Sequence, residues 1–190
     1  MKGILFEEDP GPVHDNCLCE RERVVSGHAA DGHTTIIVPP GVDIEANIRE
    51  AKQKTRAFLQ QAMNMVSQLE IPARLLVQPF LLRELKEMAT DAFAFGLKCG
   101  WLYENFKPGA RYDFKKHDET GHYHPEYEAF GNYHYGLYSS AMGMDLTVIE
   151  AGAGFAQFLA GTWVKENWRT WFDDPDDNKM VRKGYSYPID

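Results

Sequence analysis

Apolar side chains recur at steps of three and four residues along two long stretches in the first half of the chain. In residues 42–69 this stripe begins beside Asp43, which can cap the first turn, and Pro72 follows its end. A second stripe occupies residues 82–98, after Pro79. An apolar stripe with this period is typical of the buried face of an amphipathic helix, so the pattern predicts two long helices.

Two shorter patterns complete the outline. Asp145 can cap a third helix over residues 146–161, in which Gly152 and Gly154 permit close packing. Residues 34–38 are β-branched and are followed by two prolines, which predicts one short strand or extended segment. We therefore expect a mainly α fold, α+β only through that minor strand element, in a single compact helical domain.

The length of 190 residues, with a mass of 21.7 kDa, suits one domain with a sizeable core. No apolar run approaches the roughly 20 residues that a membrane-spanning helix needs, so we expect no membrane insertion. The chain has 20 Lys and Arg residues against 28 Asp and Glu residues, a net charge of -8. This charge disfavours nucleic acid as a partner without excluding it.

The first 33 residues have no clear apolar period and contain several Gly and Pro residues. We predict a linker or arm over residues 1–33, joined to a domain over residues 34–190. The start of the chain is too acidic for a signal peptide, so export would need a dedicated machine. Three cysteines are an odd number, and Cys17 and Cys19 are too close for an unstrained bridge, so we expect no disulfide framework.

Aromatic and charged side chains alternate over residues 101–136, which predicts a polar loop region where a functional site would lie. Within it, Asp113 and Lys115 would share a face if their segment is extended. The ammonium group could then keep the carboxylate ionised. A plain surface ion pair is the alternative interpretation.

Three histidines and two acids lie within residues 117–124, and His134 follows ten residues later. Zinc accepts such ligands, but the His-x-x-x-His spacing of a helical metal site is missing. A solvated loop with ordinary histidines is the simpler interpretation. We therefore expect neither a metal ion nor another cofactor.

Residues 126–136 are the most informative segment. Gly131 and Gly136 flank an Asn-Tyr-His-Tyr run, and Asn132 together with the neighbouring ring edges could bind a sugar or a base. The alternative is a structural turn that leads into a packed helix. Residues 173–177 hold four acids around a proline, which is more typical of an exposed turn than of a cation site.

Several segments, in a shared order, resemble the polymorphic toxin type 44 family of bacteria. They are residues 38–51, 107–115, 130–136, 151–157 and 173–177. The chain differs from the family pattern at Ala110 and Tyr112, and residues 117–125 look like a variable insertion. The resemblance implies a toxin domain of a type VI or related secretion system, with a delivery protein and a cognate immunity protein as partners.

A second, shorter resemblance concerns residues 132–136, 141–143 and 145–146. They are similar to the Asn-Tyr-x-Tyr-Gly segment of family 19 chitinases, which borders the sugar cleft of those lysozyme-like glycosidases. This similarity implies a lysozyme-like helical fold and a glycan substrate.

The type 44 resemblance leaves both cell-wall and nucleic-acid targets open. The acidic charge balance and the aromatic, Asn-bearing motif favour a toxin that hydrolyses the glycan strand of peptidoglycan, with carboxyl groups as general acid and base. Glu128 or Glu119 would protonate the leaving oxygen, and Asp113 would activate water or stabilise the oxocarbenium ion. Lys115 would tune Asp113, and His134 completes the catalytic set. The expected substrate-binding residues are Asn132, Tyr133, Tyr135 and Arg111. Such a toxin would act in the periplasm of the target cell.

The alternative is a metal-dependent nuclease toxin that acts in the target cytoplasm. In that case Asp113, Glu128 and His134 would bind metal or move protons, and Lys115 would contact a phosphate. The nuclease needs a local basic patch. Four residues could supply it: Lys107, Arg111, Lys115 and Lys116.

Overall fold

The computed structural model of the chain describes residues 36–70, 79–116 and 122–189. The helices in these residues are α1 (Ile44–Ser67), α2 (Pro79–Phe106), α3 (Glu128–Ala141), α4 (Leu146–Ala160) and α5 (Pro175–Tyr185). Short 3-10 segments, Pro125–Tyr127 and Lys165–Thr170, precede α3 and α5. The mainly α fold predicted from the sequence is confirmed. None of the described helices combines the length and the apolar character needed to cross a lipid bilayer.

Helix α1 begins where the apolar stripe predicts. The Asp43 carboxylate accepts a hydrogen bond from the backbone N–H of Ala46 at 2.9 Å and so caps the first turn. Helix α1 packs against α2 and α3. Its buried residues form two groups with three- and four-residue steps, Ile44, Ile48 and Ala51 near its start and Ala62 and Val66 near its end.

Helix α2 is longer than the sequence predicts. We expected it to end near Gly100, but it continues to Phe106. A glycine inside a helix costs about 1 kcal/mol relative to alanine. Burial of Leu102, and the packing of Trp101 and Phe106 against the core, offset that cost.

A short strand or extended segment was predicted over residues 34–38, and the described residues 36–38 form no strand. Ile36 forms an isolated β-bridge, and Ile37 and Val38 are irregular. All three side chains are buried, so the apolar run serves as a core segment without a sheet. Residues 34 and 35 lie outside the described residues, as does the arm predicted over residues 1–33.

Helix α3 replaces much of the polar loop predicted over residues 101–136. Its side chains fill the core, because Phe130, Tyr133, His134, Leu137 and Tyr138 are almost fully buried. The segment was predicted as a loop because its glycines and its polar aromatic residues do not produce a simple apolar stripe. Burial of rings on several sides of the helix overrides weak local propensity.

Helices α3 and α5 touch through their backbones. A Cβ atom on Gly136 of α3 would lie 2.0 Å from the carbonyl oxygen of Val181 on α5. A Cβ atom on Gly184 of α5 would lie 1.9 Å from the carbonyl oxygen of Tyr133 on α3. These two glycines therefore permit an approach that larger residues would block. The contact fixes the two helices that carry the candidate site.

Helix α4 is capped as predicted, because the Asp145 carboxylate accepts a hydrogen bond from the Thr147 N–H at 2.8 Å. It ends at Gly161, whose φ of 72° is in the left-handed region that favours glycine. Gly154 packs against the chain before α5, since a Cβ there would lie 1.8 Å from the carbonyl oxygen of Trp171. Close packing at Gly154 is therefore confirmed.

The acidic run at residues 173–177 is the start of a helix, not the exposed turn that the sequence predicts. The Asp174 carboxylate accepts a hydrogen bond from the Asp176 N–H at 2.9 Å, and Pro175 occupies the first position of α5. Aspartate as the cap and proline at the first position are both favoured at helix starts. Asp173, directly before the cap, is buried.

Candidate active site in an acidic cleft

A cleft of about 1400 Å³ opens between the end of α2, the 107–115 loop, the first turns of α3, and helices α4 and α5. The rings of Phe106, Phe114 and Phe155 contribute to its walls. Pockets for small molecules usually measure about 300–1,000 Å³. The cleft therefore has room for several units of a polymer.

Acidic side chains dominate the polar lining of this cleft. Among the residues that the structure describes, seven carboxyl groups line it, against the two ammonium groups of Lys107 and Lys115. The acids are Asp113, Glu126, Glu128, Asp173, Asp174, Asp176 and Asp177. This balance makes the cleft electronegative and brings several carboxyl groups close enough to perturb one another.

Asp177, in the first turn of α5, has the most informative environment. Its carboxylate accepts a hydrogen bond from the side-chain amide of Asn132 on α3 at 2.6 Å. Burial, followed by the negative charges of Asp173, Glu128 and Asp174, raises the pKa of Asp177 to about 7, although Lys115 opposes the shift. A carboxyl group with this pKa can hold or release a proton near neutral pH.

Asp173 is the second acid with a raised pKa. Its exposed fraction is 2%, and burial raises its pKa to about 6, although a hydrogen bond from Gln157 opposes the shift. One carboxylate oxygen finds no hydrogen-bond partner among the residues that the structure describes. A buried oxygen without a partner favours the protonated form.

Lys115, in the 107–115 loop, forms an ion pair with Glu128, the first residue of α3. Burial lowers the pKa of Lys115, but the hydrogen bond and the charge of Glu128 outweigh it, and the net pKa is raised. Lys115 therefore carries its positive charge next to Glu128. The sequence paired Lys115 with Asp113, and the structure instead pairs it with Glu128.

Asp113 lines the cleft but is held by its own loop. Its carboxylate accepts a hydrogen bond from the backbone N–H of Gly109 at 2.7 Å. Gly109 has a φ of 77°, so the bond stabilises a turn that glycine adopts readily. The segment is a turn and not the extended strand that would place Asp113 and Lys115 on one face.

His134 and Tyr133 lie in the core and do not line the cleft. The Nε2 atom of His134 lies 3.0 Å from the side-chain amide of Asn47, which donates to it, and aromatic rings surround the imidazole. Burial, followed by the charge of Arg111, lowers the pKa of His134 to about 3. The imidazole is therefore neutral at neutral pH.

Two further residues predicted to bind substrate have structural partners. Arg111 donates to both carboxylate oxygens of Glu50 on α1, at 2.7 and 3.1 Å, and it does not line the cleft. Tyr135 does line it, but its hydroxyl donates to the carbonyl oxygen of Ile149 at 3.1 Å. Asn132 lines the cleft and binds Asp177. Glu119 lies outside the described residues.

A comparison with protein-family models matches residues 102–189 to the family described as bacterial toxin 44. Residues 102–189 belong to this toxin family. The toxin 44 segment runs from the last turns of α2 through α5 and includes every carboxyl group of the cleft. The family resemblance inferred from the sequence is confirmed for these residues, whereas the segment 38–51 of that resemblance lies outside the match. No curated protein and no solved structure matches the chain.

The toxin 44 segment thus brings together Asp113, Lys115, Glu128, Asn132 and Tyr135 of the predicted site at one cleft. Asp173 and Asp177 were not among the site residues predicted from the sequence. A cap, a proline and an acidic first turn were visible in the sequence, and they predict a helix start. The burial of these acids depends on α3 and α4, so the local sequence pattern does not predict it.

Proposed function

We propose that this bacterial toxin domain hydrolyses the glycan strand of peptidoglycan, with two carboxyl groups of the cleft as its acid and base. The observation that carries the proposal is the position of Asp177, which is hydrogen-bonded to Asn132 and has a pKa of about 7. Glycoside hydrolysis needs one carboxyl group that is protonated and one that is ionised.

Asp177 is the general acid in this proposal and donates its proton to the leaving glycosidic oxygen. Glu128, in its ion pair with Lys115, is the carboxylate that activates water or stabilises the oxocarbenium ion. Asn132 is a positioning residue, because its amide holds the carboxyl group of Asp177. These roles revise the sequence-based assignment, which gave the acid to Glu128 or Glu119 and the base to Asp113.

The walls of the cleft suit a sugar chain. Phe114, Phe155 and the ring of Tyr135 offer apolar surfaces, and the carboxyl groups accept hydrogen bonds from hydroxyl groups. The volume of about 1400 Å³ suits a polymer better than a single small molecule. A neutral sugar ring also avoids the repulsion that an acidic cleft imposes on a polyanion.

The nuclease alternative is less well supported by the charges. Each of the basic residues Lys107, Arg111 and Lys115 pairs with a glutamate, and the Lys116 ammonium donates to the carbonyl oxygen of Ala110. Neutralised basic groups provide little attraction for a phosphate backbone.

The proposed target places the toxin in the periplasm of a competing bacterium. Delivery by a type VI or related secretion system and protection by a cognate immunity protein go with this proposal. Expression in a susceptible bacterium, with and without an export signal, tests the compartment. Lysis only after export supports a wall target, whereas killing from the cytoplasm without lysis contradicts it.

The chemistry is tested with the purified chain and purified peptidoglycan sacculi. We expect new reducing ends, the product of glycosidic cleavage, and a loss of about 100-fold or more in the Asp177→Asn variant. Asp91→Asn is the matched control, because Asp91 is an exposed acid on α2 outside the cleft. New amino groups without reducing ends would indicate a peptide-bond hydrolase, and degradation of RNA or DNA would indicate the nuclease; either result overturns the proposal.

A further inference from the structure

Two histidines and a glutamate meet in the segment that leads into α3. Ligand atoms of His122, His124 and Glu126 all lie within 4.8 Å of one another. The Nδ1 atom of His124 is 2.9 Å from a carboxylate oxygen of Glu126, and the two imidazole centroids are 4.6 Å apart. No other group of three such ligands occurs among residues 36–70, 79–116 and 122–189.

The backbone holds this cluster in place. The N–H of His124 donates to the carbonyl oxygen of Lys115 at 3.2 Å, which connects the segment to the 107–115 loop of the cleft. The imidazole of His124 stacks on the ring of Tyr127, with centroids 5.3 Å apart. Pro125, at the start of the 3-10 turn, restricts the backbone between His124 and Glu126. Two of the three ligands therefore sit on an ordered turn.

We propose that His122, His124 and Glu126 bind a divalent transition-metal ion such as Zn²⁺. Imidazole nitrogen and carboxylate oxygen are ligands that Zn²⁺ prefers, and two histidines with one glutamate form a known three-ligand set for it. Three protein ligands leave a further coordination position for water or another group. Mg²⁺ and Ca²⁺ fit less well, because they select oxygen ligands.

The ion would lie at the edge of the cleft, because Glu126 is one of the residues that line it. It would fix the segment that enters α3 just before Glu128. It would also add positive charge to the edge of a cleft that seven carboxyl groups make negative. The inference differs from the expectation of no metal drawn from the sequence, where the ligand spacing lacked a helical repeat. It does not depend on the reaction proposed above.

Metal binding by the full chain tests this inference. The chain is treated with a chelator, dialysed and titrated with Zn²⁺ in a calorimeter. We expect one tight site per chain. The double variant His122→Ala/His124→Ala should weaken that site at least about 100-fold, because even loss of a group that only orients a metal ligand costs about 10–100-fold. Glu126→Gln should weaken it as well.

Glu104→Gln is the matched control, because Glu104 is also a paired carboxylate close to the cleft, with Lys107 as its partner. Its affinity for Zn²⁺ should equal that of the unchanged chain. Substitution with Co²⁺ distinguishes the cysteines as rival ligands, since thiolate ligation adds a charge-transfer band that nitrogen and oxygen ligation lack.

Folding of each metal-free variant is checked by circular dichroism and thermal unfolding against the metal-free unchanged chain. The proposal is overturned if no tight site is found, if the double variant binds Zn²⁺ as tightly as the unchanged chain, or if the Co²⁺ spectrum shows thiolate ligation. If the double variant is unfolded, the single variant Glu126→Gln decides, and unchanged affinity in that variant also overturns the proposal.

Discussion

The backbone contact between α3 and α5 makes Gly136→Ala a sharp test of the fold. The new Cβ would lie 2.0 Å from the carbonyl oxygen of Val181, whereas carbon–oxygen contacts between neighbouring backbones are about 3.3 Å or longer. The helices would have to separate by about 1.3 Å to relieve the clash. Overpacking of a core typically costs about 1–3 kcal/mol, and the obstacle here is backbone that has no rotamer to change.

The same separation should reach the site. The hydrogen bond between Asn132 and Asp177 spans the two helices at 2.6 Å, and an added 1.3 Å or so would exceed hydrogen-bond distance. We therefore expect Gly136→Ala to lower the free energy of unfolding by about 2–3 kcal/mol and to reduce hydrolysis by the folded protein. Urea unfolding followed by circular dichroism measures the first effect, and release of reducing ends measures the second.

Gly131→Ala is the matched control for stability. Gly131 is in the same helix, and a Cβ atom there would meet nothing within 4 Å. Alanine is a better helix former than glycine by about 1 kcal/mol, so this variant should be slightly more stable than the unchanged chain. If Gly136→Ala is as stable as Gly131→Ala, the close contact between α3 and α5 does not exist.

Four further predictions concern the titratable side chains. The pKa values of Asp173 (about 6) and Asp177 (about 7) exceed the usual value of about 3.9, so these groups stabilise the fold at low pH and this stabilisation is lost as pH rises to about 7. The urea concentration at the midpoint of unfolding should decrease between pH 5 and pH 8, and it should decrease less in Asp177→Asn. An equal decrease in the two proteins would contradict the burial of that acid. Glycan cleavage should decline above about pH 7, when Asp177 loses its proton; a rate that stays constant to pH 9 would exclude it as the acid. His134→Phe should lower the free energy of unfolding by about 1–3 kcal/mol, measured by thermal unfolding, while the folded fraction keeps its activity. Loss of activity in the folded fraction would indicate that His134 is catalytic. Arg111→Gln should cost about 1 kcal/mol or less and leave cleavage unchanged, and a large rise in KM would restore its predicted role in substrate binding.

The sequence predicted those parts of the fold that depend on local signals. Asp43 and Asp145 cap helices as their positions indicate, and a periodic apolar stripe marks α1. It failed for α3, because Gly131 and Gly136 weaken the local helical signal while burial on several sides stabilises the helix. The end of α2 was misplaced for a similar reason, since contacts beyond Gly100 outweigh its low propensity.

The candidate site could be predicted only in part for a physical reason. Glu128 and Asn132 were identified because they belong to a distinctive local motif. Asp177 was interpreted as part of an exposed turn, because its pKa depends on burial against helices that are distant in sequence. His134 is the opposite case, since a histidine in a promising motif is buried in the core. Residue type indicates candidate chemistry, whereas burial decides which candidates can perform it.

The contacts between α1 and the toxin 44 segment determine which fragments of this protein can fold. The matched residues 102–189 begin after α1, yet Asn47 supplies the hydrogen bond to buried His134 and Glu50 binds Arg111. Ile44 and Ile48 belong to the same core cluster as the rings of α3. A fragment cut where the match begins would expose this core and remove the hydrogen-bond partner of the His134 Nε2 atom. The part of the chain that the family model matches is therefore smaller than the part that forms this core, and an expression fragment should start before α1.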